Sequence, residues 1–328
     1  MNIIDYSSSF PVRNHLKTYF KGVFIVLLMI IMAACQPSQE TTLRIGTNLW
    51  PGYEPLYLAE DLEYWSKKDI RLVEYPSASE VIRAFRNRSL EAAALTLDEA
   101  MLLWNENIPV KIVLVLDISN GADAIIGRGI TDFQQLKGKK IAVESNALGA
   151  LFISRALKLN DMKLNDIELV HLNVSSHEQA FKNGTVDAAV TFEPVKSKLL
   201  ELGGVDVFNS AQIPGEIVDV LVVHEKTLLA HPEHVRMLVE NWYRAISHIN
   251  RNLQQAAIDI AQRHHLTPAQ VIDSFNGLNW GDRTRNRQLL GGKAPLLQTA
   301  NKLADIMLEN QLLPKKPDLK NIIATIEP

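Results

Sequence analysis

Carboxylates, hydroxyls and aromatic side chains gather in this sequence where short apolar runs end. Trp50 and Tyr53 flank Pro51-Gly52 just past the run Leu43–Thr47, and Thr96 follows Ala92–Leu95. Asp117 and Ser119 close Val110–Leu116, the most apolar run in the chain. Ser145, Asn146 and Gly149 follow Lys139–Val143, Glu193 precedes Pro194 after Val186–Val190, and Asp219 lies inside Ile217–Val223. These residue types suit recognition rather than bond making. Aromatic faces stack on rings or cap cations. A glycine beside a helix start lets the backbone approach an oxyanion. A carboxylate at the end of a buried run needs a partner, because an isolated buried charge is costly. Asp117 therefore reads as a ligand or hinge contact, and Asp219 equally so. The Thr96 hydroxyl can serve a ligand or a helix cap. Glu193 is the position best suited to hold an amine.

Other chemistries find no support. The chain has 328 residues and one cysteine, Cys35, which leaves neither a disulfide framework nor a cysteine-based zinc site. His264-His265 has no acid at metal-ligand spacing, and His231-x-x-His234 alone is a weak pattern. Nucleophile-elbow and phosphate-loop motifs are absent. The net charge of −3 and the lack of a basic, aromatic-interleaved stretch give no case for nucleic acid. No catalytic residue, metal or cofactor is expected, and the chain reads as a monomer.

The elements that position the candidate residues alternate in type. Strands are expected at Leu43–Thr47, Ile70–Glu74, Ala92–Leu95 and Val110–Leu116, with helices between them. A second series follows: Lys139–Val143, Ile167–His171, Val186–Val190, Val205–Phe208 and Ile217–Val223, with helices at Ala147–Leu159, His177–Asn183 and Pro194–Leu202. Beyond His224 the pattern is helical, including one long helix over Thr284–Asn310. Strand–helix alternation predicts parallel strands with helical crossovers, an α/β fold. Ser77-x-x-Glu80, Thr96-x-x-Glu99, Thr131-x-x-Gln134, Ser175-x-x-Glu178 and Thr267-x-x-Gln270 read as capping boxes. In an open parallel sheet, ligands sit where such helix starts follow strand ends. Two lobes are expected: residues 43–128 with 224–328, and residues 129–223. The crossings are expected near Ile125–Thr131 and Gln212–Val223.

Residues 1–34 read as an export signal, with Arg13, Lys17 and Lys21 ahead of the apolar run Val23–Met32. That run spans about 15 Å as a helix, roughly half a bilayer core, so it suits a signal better than a membrane span. Met32-Ala33-Ala34-Cys35 resembles a bacterial lipobox, which implies acylation of Cys35 and a membrane anchor. Residues 35–42 then form a polar tether.

Five stretches, in order, resemble the nitrate/sulfonate/taurine and thiamine-precursor group of ABC solute-binding proteins. They are Gly46–Tyr57, Ala92–Glu99, Asp117–Asp123, Leu136–Val143 and Thr191–Pro194. The resemblance implies a two-lobed type II periplasmic-binding-protein fold with a small-molecule ligand in the interlobe cleft. It also implies an ABC permease and ATPase as partners, and residence in the periplasm or cell envelope. One departure bears on the ligand. The loops expected to face the cleft carry Glu54, Asp98, Asp117, Glu144 and Glu193. Carboxylates around a small site favour a cation or amine over an anion. A nitrogen-containing solute is therefore expected: an aminopyrimidine, a taurine-like zwitterion or an aliphatic amine. The same cleft would also serve a sensor subunit that reports to a membrane signalling protein. A pyrimidine-synthase-like enzyme shares the fold but depends on a Cys-rich motif that one cysteine cannot supply.

Overall fold

The computed structural model describes residues 42–144, 147–264 and 266–324, all within the unit Thr42–Pro328. Cys35, Ser145, Asn146 and His265 lie outside the described residues. The chain opens with β1 (Leu43–Asn48), α1 (Glu54–Asp61), β2 (Ile70–Tyr75), α2 (Ala78–Arg86), β3 (Ala92–Thr96), α3 (Leu97–Asn105) and β4 (Val110–Ser119). It continues through β5 (Asp123–Arg128), β6 (Lys140–Val143), α4 (Ala147–Leu159), β7 (Glu168–His171) and α5 (His177–Lys182). Next come β8 (Ala188–Phe192), α6 (Val195–Glu201), β9 (Gly204–Asn209) and β10 (Val218–His224). The last part holds α7 (Glu225–Ala230), α8 (Pro232–Arg251), α9 (Leu253–His264), α10 (Pro268–Asn276), β11 (Leu278–Trp280), α11 (Arg283–Leu290) and α12 (Pro295–Glu309).

The strands form two sheets, one in each lobe. The first runs β11-β4-β10-β3-β1-β2 and the second β7-β6-β8-β5-β9. Parallel pairs join β1 to β2 and β3, and β6 to β7 and β8, as the alternating pattern predicts. The strands that follow the crossings pair antiparallel. β10 inserts between β3 and β4, and β5 between β8 and β9.

This pairing moves the lobe limits read from the sequence. Asp123–Arg128 belongs to the second sheet rather than the first lobe, and Val218–Val223 to the first sheet rather than the second lobe. The crossings therefore fall at residues 120–122 and 210–217. Both strands are mostly apolar, and hydrophobic periodicity does not say which sheet a buried strand joins. The two crossings run side by side. Ser119 Oγ and Ser210 Oγ are 2.8 Å apart, the Gly121 N–H donates to Ser210 Oγ (2.6 Å), and the Ser119 N–H donates to the Ile217 carbonyl (3.1 Å).

The first sheet is buried on both faces, which explains its unbroken apolar strands. Ala92, Ala94, Leu114, Leu116, Leu221 and Val223 face one core with Trp242 of α8. Ala93, Leu95, Ile112, Val115, Val220 and Val222 face the other, with Leu303 and Met307 of α12. Helices α8 and α12 thus pack on opposite faces of the first sheet.

Three local expectations shift. The helix expected over Thr284–Asn310 is two, because Gly292 adopts φ 59° and Pro295 sits at the first turn of α12. The capping residue near Thr131 is Asp132, whose Oδ1 accepts from the Gln134 N–H. Ser175 gives no cap, and α5 begins from Ser176 without a side-chain cap bond. Ser77 and Thr267 cap as read, accepting from the backbone N–H of Glu80 and Gln270.

β4 departs from ideal pairing at the point that matters for the cleft. Its register against β10 slips between Asp117 and Val115, leaving Leu116 as an extra residue. Such a bulge strands backbone groups and re-aims the next side chains. Asn286 of α11, itself buried, satisfies the stranded groups. Its Oδ1 accepts from the Val115 N–H (2.7 Å), and its Nδ2 donates to the carbonyls of Val115 (2.9 Å) and Gly281 (2.8 Å). Asn286→Leu should leave the Val115 N–H buried and unpaired and cost about 1–3 kcal/mol. A lowered urea midpoint would read this out, whereas an unchanged midpoint would mean that the bulge does not depend on Asn286.

Candidate functional site

The site grows from a row of side chains at the end of the first sheet. Asp219 of β10 is in register with Thr96 of β3 on one side and Asp117 of β4 on the other. Asp117 is in turn in register with Trp280 of β11. Directly paired residues project to the same face. The strand ends thus set two carboxylates next to each other on one side of the sheet. Both are buried, at 0% and 2% relative exposure.

The turn after β1 folds over this row. The Trp50 Nε1–H donates to Asp117 Oδ2 (3.1 Å), and the Tyr53 hydroxyl donates to Asp219 Oδ1 (2.6 Å). Pro51-Gly52 between them permits the close approach. A Cβ at Gly52 would fall on Asp117 Oδ2 and Trp50 Nε1. One oxygen of each carboxylate remains without a partner, Asp117 Oδ1 and Asp219 Oδ2.

A cavity opens between the lobes. The first lobe lines it with Asn48, Trp50, Tyr53, Ala78, Thr96, Glu99 and Asp219, and the second with Asp123, Leu148 and Phe192. Trp50 and Phe192 meet edge-on across it, with ring centroids 5.6 Å apart and planes at 83°. Glu99 accepts from the Thr96 N–H (3.1 Å) at the start of α3, so part of its role is capping. Asp123 enters at the first residue of β5, immediately after the first crossing. Its N–H donates to Ser119 Oγ (3.3 Å), and its Oδ2 has no partner. Among the described lining residues there is no lysine or arginine.

Burial without cations shapes the electrostatics. Desolvation pushes the Asp117 carboxyl up to about 8, against the Trp50 hydrogen bond. Desolvation also pushes Asp123 up to about 7 and Asp98 up to about 6. Glu99 and Asp219 are held well above the usual carboxylate range, first by burial and then by their acidic neighbours Asp98 and Asp117. Such a cluster keeps its protons until a positive group arrives.

The sequence-expected residues divide in three. Trp50, Tyr53, Thr96 and Asp219 converge on the interlobe cavity, with Asp117 behind Trp50. Gly149 and Glu144 border a second cavity beside it. Ser119 and Glu193 line neither: Ser119 stitches the crossings, and Glu193 Oε2 accepts from the Ser197 N–H at the start of α6 (3.2 Å). Glu54, expected at the cleft, is instead held by Arg263, whose guanidinium also lies 3.5 Å from the Tyr57 ring centroid. Asn48, Glu99, Asp123 and Phe192 line the cavity without having been singled out. Each lies within a stretch that carries the family resemblance, and Asp123 had a further signal, an acid set among Ala122, Ala124 and Ile125.

Two α/β lobes, joined by two adjacent crossings and enclosing a polar and aromatic cavity, define the two-lobed fold of periplasmic binding proteins. The chain belongs to the NMT1-like family, whose model matches residues 36–263. It is 23% identical over 318 residues to a protein of Escherichia coli (strain K12) provisionally named for binding aliphatic sulfonates, covering 95% of this chain and 96% of the other. The taurine-binding periplasmic protein of the same organism is 23% identical over 57% of this chain and 61% of its own length. Among solved structures, the alkanesulfonate-binding protein SsuA from Xanthomonas axonopodis pv. citri, bound to MOPS, superposes with a TM-score of 0.75 at 18% identity. That match covers 88% of this chain and 99% of SsuA. The periplasmic nitrate-binding protein NrtA from Synechocystis PCC 6803 superposes with a TM-score of 0.68 at 14% identity, over 85% and 83% of the two chains.

The raised carboxyls have a measurable consequence. Asp117 and Asp123 hold protons to about pH 8 and 7 in the folded chain, against about 4 when unfolded. The folded state therefore binds more protons across that window, and stability falls as pH rises. The melting temperature of the protein without added solute should drop between about pH 5 and 8. Asp117→Asn combined with Asp219→Asn should flatten the drop. A melting temperature that rises over this range would contradict the assignment.

Proposed function

We propose that the protein captures a small amine-bearing organic solute between its lobes and delivers it to the permease and ATPase of an ABC importer. The observation that carries this reading is the pair of unpartnered oxygens, Asp219 Oδ2 and Asp123 Oδ2. They come from opposite lobes, at a cavity walled by Trp50, Tyr53 and Phe192. An ammonium or amino group supplies the missing donors and counter-charge, and the aromatic rings accept its apolar body or its positive face. Neither half-site is complete alone, so occupancy favours the closed arrangement of the lobes. Closure already has its contacts. Ser79 Oγ of α2 donates to Glu144 Oε1 (3.3 Å), Lys158 of α4 pairs with Glu309 of α12 (2.8 Å), and Gln270 Nε2 donates to Glu201 Oε1 (2.6 Å).

Aminopyrimidines, aliphatic amines and taurine-like zwitterions satisfy this chemistry. A second reading, a sulfonate recognised mainly through its anionic group, is favoured by the sulfonate- and taurine-binding relatives. The acidic lining weighs against it. Acting by binding alone, the protein is not an enzyme. We further propose that it works as a monomer in the periplasm, held at a membrane through acylated Cys35. Among the described residues no helix is long and apolar enough to cross a membrane.

A thermal-shift panel of alkylamines, aminopyrimidines, taurine, alkanesulfonates and nitrate separates the readings. A solute at 100 times its dissociation constant stabilises by about 2.7 kcal/mol, which moves the melting temperature by several degrees. Amine-bearing solutes should produce the shift, and Asp219→Asn should weaken their binding at least tenfold. A shift from alkanesulfonates or nitrate alone would overturn the amine reading and leave the solute-binding role. Cys35→Ser should move the protein from the membrane fraction to the soluble one, and an unchanged distribution would defeat the lipid-anchor proposal.

A further inference from the structure

A second cavity borders the first and is lined entirely from the second lobe. Asp123, Leu148 and Phe192 border both spaces, so the two chambers share a wall. Its remaining lining comes from Glu144, Gly149, Phe152, His177, Val190 and Thr191.

Three of these side chains are buried and carry a polar atom without a partner: His177 Nδ1, Thr191 Oγ1 and Glu144 Oε2. His177 is 0% exposed and Thr191 2% exposed, and His177 Nδ1 and Thr191 Oγ1 make no hydrogen bond. The other His177 nitrogen, Nε2, lies 3.2 Å from the Leu172 carbonyl, which can only accept. Nε2 therefore carries the proton, and burial holds the ring neutral by pulling it down to about 4. That leaves Nδ1 as a bare acceptor. Asp123 Oδ2 on the shared wall is an acceptor once ionised, and Glu144 borders the same space. Phe152, Val190, Leu148 and Phe192 supply apolar walls between these groups. A chamber with His177 Nδ1 at its wall calls for a group that donates hydrogen bonds, because an unpaired buried acceptor forfeits its solvation.

We propose that this chamber is a second subsite for the same solute, and that the solute carries nitrogen- or oxygen-bound hydrogens at both ends. One end meets Asp219 and Asp123 between the lobes, and the other meets His177 and Thr191 inside the second lobe. The chemical class is an α,ω-diamine, an amino alcohol or a heteroaromatic ring with amino groups on opposite edges. Among its described lining residues there is no lysine or arginine to neutralise a solute with an anionic far end. This inference rests on the amine-binding reading, and it adds that an amine at one end alone leaves the second chamber unmet.

The test compares solutes of matched length on the whole protein by isothermal titration calorimetry. The pairs are n-butylamine with 1,4-diaminobutane, n-pentylamine with 1,5-diaminopentane, and each with the corresponding amino alcohol. At least one two-ended solute should bind tenfold or more tighter than its one-ended partner. Thr191→Val, close in shape and without the hydroxyl, should erase most of that advantage while leaving the monoamine within about threefold. His177→Phe should act in the same direction, and Thr191→Val keeps the inference testable if His177→Phe fails to fold. Asp219→Asn should weaken both members of a pair alike. If monoamines bind but two-ended solutes gain nothing, or if Thr191→Val leaves the advantage intact, the second subsite is refuted and the amine reading stands. If no amine binds, both fall.

Discussion

Asp117 and Asp219 lie side by side on adjacent strands, buried beneath Trp50 and Tyr53, with no cation among the described lining residues. Two carboxylates so placed cannot both ionise in a low-dielectric setting without a counter-charge. They stay protonated, or they wait for a positive group. Much of the surrounding architecture holds that arrangement in place. The turn after β1 is tight enough that only a glycine fits at residue 52, where the Asp117 carboxylate and the Trp50 ring meet. The β4 bulge sits one residue before Asp117, and the stranded backbone groups there are tied to Asn286 from a helix 171 positions away in sequence.

The second lobe completes the site by placement rather than by charge. The first crossing delivers Asp123 to the cavity at the first residue of β5, and the end of β8 delivers Phe192 to it and Thr191 to the second chamber. Both crossings are short, and Ser119 and Ser210 hold them together. Relative motion of the lobes therefore has few residues in which to occur, while the contacts that resist opening are peripheral. Glu216 in the second crossing illustrates the point. It takes Arg155 of α4 (2.7 Å) and Lys302 of α12 (3.4 Å), one from each lobe. The exposed Lys302 contact contributes little, whereas the Arg155–Glu216 pair is bidentate and largely buried within the second lobe and its crossing.

Much of this was legible in the sequence. The alternation of strands and helices, the placing of most elements within a residue or two, and the helix starts at Ser77 and Thr267 follow from local patterning, and the structure agrees. So does the convergence of Trp50, Tyr53, Thr96 and Asp219, because strand ends and helix starts meet at one rim of a parallel sheet. Sheet membership was another matter. β5 and β10 are both short and mostly apolar, and their patterns carry no record of which sheet takes them in. The short strand Leu278–Trp280 was hidden in a helical stretch for a related reason, since its pairing with β4 is decided by a neighbour 159 positions away.

The sequence by itself determined the α/β character, the two-lobed plan, the family and the acidic character of the cleft. Those depend on local periodicity, on composition and on the order of short stretches along the chain. Only the tertiary structure decided which carboxylates matter. In sequence Glu193 looked best suited to hold an amine and Glu54 was expected at the cleft, yet Arg263 holds Glu54 and the start of α6 occupies Glu193. Asp123 became part of the cavity because a crossing three residues long turned it there. Whether a buried acid is satisfied or left waiting depends on groups that arrive from distant segments, and no local pattern encodes their arrival.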